Sequence, residues 1–213
     1  MSHHSMITRL YSEQSESWPK SGRHILARYD AESVYVYQAY RPPIARYAVD
    51  NQKFGGPDFS YARMSWIKPN FLWMMYRCGW ASKEGQEHVL AVRLRRSFFD
   101  EILIAAVPSS FGGSQSGSRD GWRRAVESAD VRLQWDPDHD PFGKPLQRKA
   151  IQLGLRGRSL ARYGREAILS VEDITPFVTE QARQLCAGLD NLIVPEEHVY
   201  SAPTVAARNV GAD

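Results

Sequence analysis

Val34-Tyr35-Val36-Tyr37-Gln38-Ala39-Tyr40, followed by Arg41-Pro42-Pro43-Ile44-Ala45, reads as a strand handed directly to a helix. β-branched and aromatic side chains suit the pleated, half-buried surface of a sheet. The two prolines cannot continue a ladder, but they preset the first turn of a helix. Ile44, Ala45, Ala48 and Val49 then keep one apolar stripe at helical spacing, until Phe54-Gly55-Gly56-Pro57-Asp58 breaks it.

Downstream the same alternation recurs. Residues 63–67 are a short extended candidate. Pro69 suits the first position of a helix over 70–77 that Gly79 ends, and this helix is apolar nearly all round, so it should be buried. Residues 89–95 read as a strand, and Ser97 with Asp100 as a capping box for a helix over 98–106. A Gly/Ser-rich loop over 108–118 precedes a short helix near 122–127. Strands follow at 131–135, 150–155 and 167–171, with an Asp/Pro-rich loop over 136–145 and a short helix from Ser159. Thr175-Pro176 opens a last helix that Gly188 closes. The expectation is an α+β domain over 23–188, with a mixed or antiparallel sheet and packed helices. Residues 1–22 read as a flexible arm and 189–213 as a tail.

With 213 residues, 43% hydrophobic and 24% charged, the composition is that of a globular protein. The longest apolar run, Phe71-Leu72-Trp73-Met74-Met75-Tyr76, is six residues, well short of the roughly 18 that span a bilayer. No membrane role is expected. Two cysteines without a CxxC, and no secretory leader, point to the cytoplasm. The Gly-rich dinucleotide and phosphate-loop patterns, GxSxG, HxH and HExxH are all absent. Asp136-Pro137-Asp138-His139-Asp140 starts like a calcium loop, but Pro141 stands where that loop needs glycine and Gln147 where it needs glutamate. His3 and His4 belong to a terminus on which no metal site is built, and no metal is expected.

The formal net charge of +3 conceals polarity along the chain. Residues 141–165 carry seven basic residues (Lys144, Arg148, Lys149, Arg156, Arg158, Arg162, Arg165) and no acid, whereas residues 172–213 carry seven acidic and two basic. The basic stretch could bind nucleic acid; the plainer alternative is a solvated face.

The densest chemistry lies in Arg63-Met64-Ser65-Trp66-Ile67-Lys68-Pro69-Asn70-Phe71-Leu72-Trp73-Met74-Met75-Tyr76-Arg77-Cys78-Gly79-Trp80. Three tryptophans interleave with Arg63, Lys68 and Arg77, and Trp73 and Arg77 are four apart on the expected helix, so they share a face. Lys83 and Gln86 follow. Aromatic and cationic groups together can stack a planar ring and hold phosphates. The alternative is that the tryptophans are core and the cations cover it. Gln38, Gln134 and Gln152 lie on expected strands. A buried glutamine without partners costs about 1–3 kcal/mol, so each must find a partner or face a pocket.

Arg28-Tyr29-Asp30, the 34–40 strand, the Trp66-Ile67-Lys68-Pro69 and Phe71-Leu72-Trp73-Met74-Met75-Tyr76-Arg77 runs, Gly79-Trp80, Gln134-Trp135-Asp136-Pro137 and Ile151-Gln152-Leu153-Gly154 resemble the domain-of-unknown-function family 4291, over about residues 23–187. Asn70 and Cys78 stand where serine is expected. A looser likeness is to ADP-ribosyltransferase-like folds. It implies NAD in a cleft between two sheets, with Arg28 or Gln38, Tyr40 or Ser65, and Asp136 as loose stand-ins for that family's triad.

The leading expectation is therefore an enzyme on a nucleotide or NAD-like substrate. Asp136, Gln38 and Tyr40 would be catalytic, and Arg28, Arg63, Trp66, Lys68, Trp73, Arg77, Lys83, Gln134 and Gln152 would bind the ligand. The alternatives are a nucleic-acid module using residues 141–165 and a protein-interaction domain. The cofactor, the reaction and the oligomeric state stay open.

Overall fold

The computed structural model describes residues 7–113 and 118–213; His3, His4 and part of the 108–118 loop lie outside them. In chain order the elements are β1 (Thr8–Leu10), α1 (Tyr11–Ser17), β2 (Gly22–Arg23), β3 (Leu26–Ala27), β4 (Ser33–Tyr40), α2 (Pro42–Asn51), β5 (Ser65–Ile67), α3 (Phe71–Cys78), β6 (His88–Arg95) and α4 (Arg96–Ala105). They continue with β7 (Val107–Pro108), α5 (Arg119–Ser128), β8 (Val131–His139), β9 (Pro145–Leu155), α6 (Gly157–Arg162), β10 (Ile168–Asp173), α7 (Thr175–Ala187), β11 (Ile193–Pro195), β12 (His198–Val199) and α8 (Thr204–Val210). The fold is α+β, as the alternation of strand and helix patterns implies.

Two sheets organise it. One is antiparallel, in the order β10-β6-β4. The other is mixed, in the order β2-β9-β8-β7, with β5 antiparallel to β9 on the edge that β9 also offers to β2. A bridge between Tyr37 and Lys68 joins them: Tyr37 N–H donates to Lys68 O at 2.7 Å, and Lys68 N–H to Tyr37 O at 3.3 Å. Strand β4 is buried on both faces. Val34 and Val36 enter the core shared with Leu133, Ile151 and Leu153, while Tyr35 and Tyr37 enter a second cluster with Phe71, Met74 and Met75 of α3. Alternation at period two puts consecutive residues into different cores.

The buried helix α3 starts one residue later than expected. Asn70 is its cap, accepting from Trp73 N–H at 2.6 Å, and Gly79 ends it at φ 58°, where a β-carbon would be strained. Three other expectations need correction. Strand β6 runs straight into α4, which starts at Arg96 with no side-chain cap, and Asp100 instead accepts from Tyr200 O–H at 2.6 Å. Residues 136–139, expected as loop, extend β8, because β9 continues to pair with them across a bulge. The described part of the expected arm and the expected tail are folded: β1 pairs with β11, Gln14 amide bonds reach Val194 O and Pro195 O, and α8 buries Ala206 and Val210 in the core. The same tail supplies Glu197, whose carboxylate accepts Phe71 N–H at 2.8 Å at the head of α3.

No described helix is long and apolar enough to cross a membrane.

Candidate functional site

The core face of the mixed sheet takes Leu133, Leu153 and Ile67. The alternate residues therefore share the other face: Gln134 and Asp136 on β8, Gln152 and Gly154 on β9, Trp66 on β5 and Lys68 just past its end. Register then fixes neighbours, with Gln134 opposite Gln152 and Trp66 opposite Gly154. Helix α3 lays Trp73 and Arg77, one turn apart, against this face, and the loop after it brings Gln86. Trp66, Lys68, Trp73, Arg77, Gln86, Gln134, Asp136 and Gln152 line one cleft of about 390 Å³. Gly154 lies against the Trp66 ring. A β-carbon there would lie 3.0 Å from the indole of Trp66 and 2.6 Å from Met64 Sδ, so only glycine lets the ring rest on the sheet.

The donors and acceptors of this cleft do not balance. Each Asp136 oxygen accepts one amide N–H, Oδ1 from Gln134 Nε2 and Oδ2 from Gln152 Nε2, both at 2.7 Å. Lys68, only 7% exposed, has no hydrogen bond or ion pair for its ammonium among the described residues. Burial lowers its pKa from the ordinary lysine value to about 8; Arg77 pushes the same way, and Cys78 and Asp136 oppose. Trp73 Nε1 is buried without an acceptor. Its ring packs on His139 at 5.3 Å and Tyr76 at 5.4 Å, with the Arg77 guanidinium 6.0 Å from its centroid. Two cations thus share the cleft with one carboxylate whose oxygens are already engaged.

A larger cleft, about 710 Å³, lies between β7, β8 and α8. Three of its polar side chains are satisfied internally, and its one cation, Arg23, is exposed: Ser109 Oγ donates to Leu133 O, Asn209 Nδ2 to Leu103 O and Ala106 O, and Trp135 Nε1 to Val210 O. Chemistry rather than volume selects the smaller one.

A family model described as a domain of unknown function (DUF4291) matches residues 24–200. The chain belongs to this family. A search of curated proteins returned no match. The match lends no support to the ADP-ribosyltransferase likeness, and the stand-ins for that triad are not gathered at one place in this DUF4291 chain. Arg28 lies over the Tyr35 ring at 4.7 Å and donates to Ile7 O. Gln38 and Tyr40 bond to Ser65 on the other side of β5 from Trp66, apart from Asp136.

Other expected catalytic and ligand residues are also placed elsewhere. Gln38 and Tyr40 do not line the cleft with Asp136, because β4 belongs to the first sheet. Arg63 lines a neighbouring cleft with Tyr40 and Ser65. Lys83 Nζ donates to Tyr76 O and Arg77 O, capping the end of α3. Gln86 was missing from the expected set. Its signal was its place in the loop after the aromatic run, next to Gly85 at φ 74°.

The basic stretch is dispersed. Arg148 is buried against Asp138 and donates to Pro19 O, and Arg156 donates to Ala129, Val126 and Glu127 carbonyls at the end of α5. Arg162 pairs with Glu101 at 2.7 Å, and Arg165 covers the Tyr61 ring at 4.4 Å. In the aspartate run, Asp136, Asp138 and Asp140 each serve different partners: the two glutamines, Arg148, and the Phe142 and Lys144 N–H groups.

Proposed function

We propose that the cleft binds a phosphate-bearing, nucleotide-like ligand, NAD included, and that the chain is an enzyme acting on it. One observation carries the reading: Lys68, only 7% exposed, lines the cleft with no hydrogen bond or ion pair for its ammonium among the described residues. Keeping a largely desolvated cation unpaired is costly, and an anion in the cleft would repay that cost. Phosphate oxygens would meet Lys68 and Arg77. Trp66, held flat over Gly154, offers a ring on which a base can stack. Asp136 keeps further lone pairs for ligand hydroxyls, or for positive charge developing on the ligand, and the two glutamines fix its orientation.

Calorimetry and thermal shift with tripolyphosphate, ADP and NAD test this. Binding is expected to raise Tm and to weaken at least tenfold in Lys68→Met and in Arg77→Gln. It should also fall as pH rises through about 8, where Lys68 loses its proton. No shift with any of the three at millimolar concentration, or binding unchanged in Lys68→Met, would overturn the reading.

A further inference from the structure

Beyond β5 from the Lys68 cleft, a hydrogen-bond chain ends with one proton unassigned. Tyr163, fully buried, donates its hydroxyl to Gln38 Oε1 at 2.5 Å. That bond sets the amide orientation. Turned the other way, Tyr163 would lose its only acceptor and Trp66 O would lose a donor. Gln38 Nε2 therefore faces three acceptors: Tyr40 Oη at 2.9 Å, Ser65 Oγ at 2.8 Å and Trp66 O at 3.1 Å.

Tyr40 Oη and Ser65 Oγ are 2.8 Å apart, so one donates to the other. Two hydroxyls bring two protons, and only one is used between them. Gln38 Nε2 is a donor and takes neither. The second proton has no acceptor among the described residues. Tyr40 and Ser65 both line a cleft of about 420 Å³.

The rest of that cleft tells what the acceptor should be. The Arg63 guanidinium lines it and makes no hydrogen bond or ion pair among the described residues. Its neighbour Arg41 is already paired with Asp58 at 2.8 Å. Ile44, Phe59 and Met64 supply an apolar wall. Burial pushes Tyr40 up to about 12, so its hydroxyl keeps its proton across the physiological range.

We infer that this cleft is a second binding site, taking a small organic anion whose carboxylate or phosphate head accepts the unassigned hydroxyl proton and the Arg63 guanidinium, with its apolar body against Phe59. The assignment is independent of the nucleotide reading, since it uses none of the Lys68 cleft's side chains. The network also makes an unusual demand. In Tyr40→Phe the Ser65 proton is released toward the cleft, and in Ser65→Ala the Tyr40 proton is. Each single variant keeps one outward donor; only the double variant has none.

Benzoate and phenyl phosphate are the probes, followed by amide NMR shifts at Ser65 and Gly85 and by calorimetry. The expected result is that at least one probe binds, that each single variant weakens it less than about threefold, and that the double variant and Arg63→Gln each weaken it about tenfold, the size of one hydrogen bond to a charged group. Lys68→Met should leave it unchanged. Benzoate alone binding assigns a carboxylate, phenyl phosphate alone a phosphate, and both an unselective anion site. Neither probe moving Ser65 or Gly85, or binding that survives both the double variant and Arg63→Gln, would overturn the inference.

Discussion

Arg148 and Lys68 are both buried cations placed on the mixed sheet, and they are treated in opposite ways. Arg148 donates from Nε and Nη2 to Asp138 Oδ2 at 2.8 and 2.6 Å, donates from Nη1 to Pro19 O at 2.7 Å, and lies 5.4 Å over the Trp18 ring. Lys68 has no comparable bond. Folding tolerates a desolvated charge when hydrogen bonds surround it. Arg148 is thus accounted for by the fold: it ties β9 to β8 and to the N-terminal segment. Lys68 is not accounted for by the fold, and it lines a cleft with Arg77. The pair separates a cation that holds the protein together from one that has no partner in the fold, the one to which the proposed function assigns a ligand.

The largest effect should come from breaking the satisfied site. Arg148→Met leaves the Asp138 carboxylate, 1% exposed, without its counter-charge, at a cost of about 3–5 kcal/mol. Burial already pushes the Asp138 pKa up against the pull of Arg148, so the loss should shrink in acid, where the variant can protonate it. Thermal unfolding of Arg148→Met and of Arg148→Met/Asp138→Leu checks this. The double variant should recover most of the lost Tm, and a double variant as unstable as the single would mean that the ion pair is not what Arg148 contributes.

Lys68→Met should do the reverse and stabilise. A pKa lowered to about 8 from 10.5 corresponds to a penalty of about 3 kcal/mol on the folded, protonated state, so a gain of roughly 1–3 kcal/mol at neutral pH is expected. The pH dependence fixes the sign. Between about 8 and 10.5 the unfolded chain binds the Lys68 proton more tightly than the folded one. Wild-type stability therefore rises with pH through that window, and the penalty is fully present below it. Denaturant titrations at several pH values should show the two proteins converging as pH rises. A Lys68→Met protein less stable than wild type at neutral pH would mean that the ammonium has a structural partner, and the contrast with Arg148 would fail.

Part of the Lys68 cleft was legible in the sequence. Gln134 and Gln152 fall on expected strands, Trp66 on an expected extended segment, and Trp73 and Arg77 are one helical turn apart. Which strand meets which was not legible, because the Gln134–Gln152 register depends on where β8 and β9 start and turn. Gln38 and Tyr40 show the limit: parity put them on one face, but only topology says that β4 lies in the other sheet and that their face meets Ser65 and Tyr163. The Asp/Pro-rich residues 136–139 looked like loop because local turn chemistry was read without the partner strand that extends them. The terminal segments were read as arm and tail for a similar reason. Their strands pair with each other across almost the whole chain, and short segments with non-local partners leave little local pattern.

The smallest and most selective effect should come from Gly154→Ala. The added methyl would meet Met64 Sδ at 2.6 Å and Trp66 Cε2 and Cζ2 at 3.0 Å. The methionine end can swing away, but the indole lies against β9 and must lift. Overpacking of this kind costs about 1–3 kcal/mol, which in a chain of this length lowers Tm by several degrees. Affinity for a nucleotide should fall more than affinity for tripolyphosphate, since lifting the Trp66 ring removes the base platform and leaves Lys68 and Arg77 in place. Calorimetry with ADP and tripolyphosphate on the variant measures that split. Equal losses for both would tie Trp66 to the same unsatisfied-donor chemistry as Lys68, and no loss for either would place the indole, like Arg148, among the groups that only build the fold.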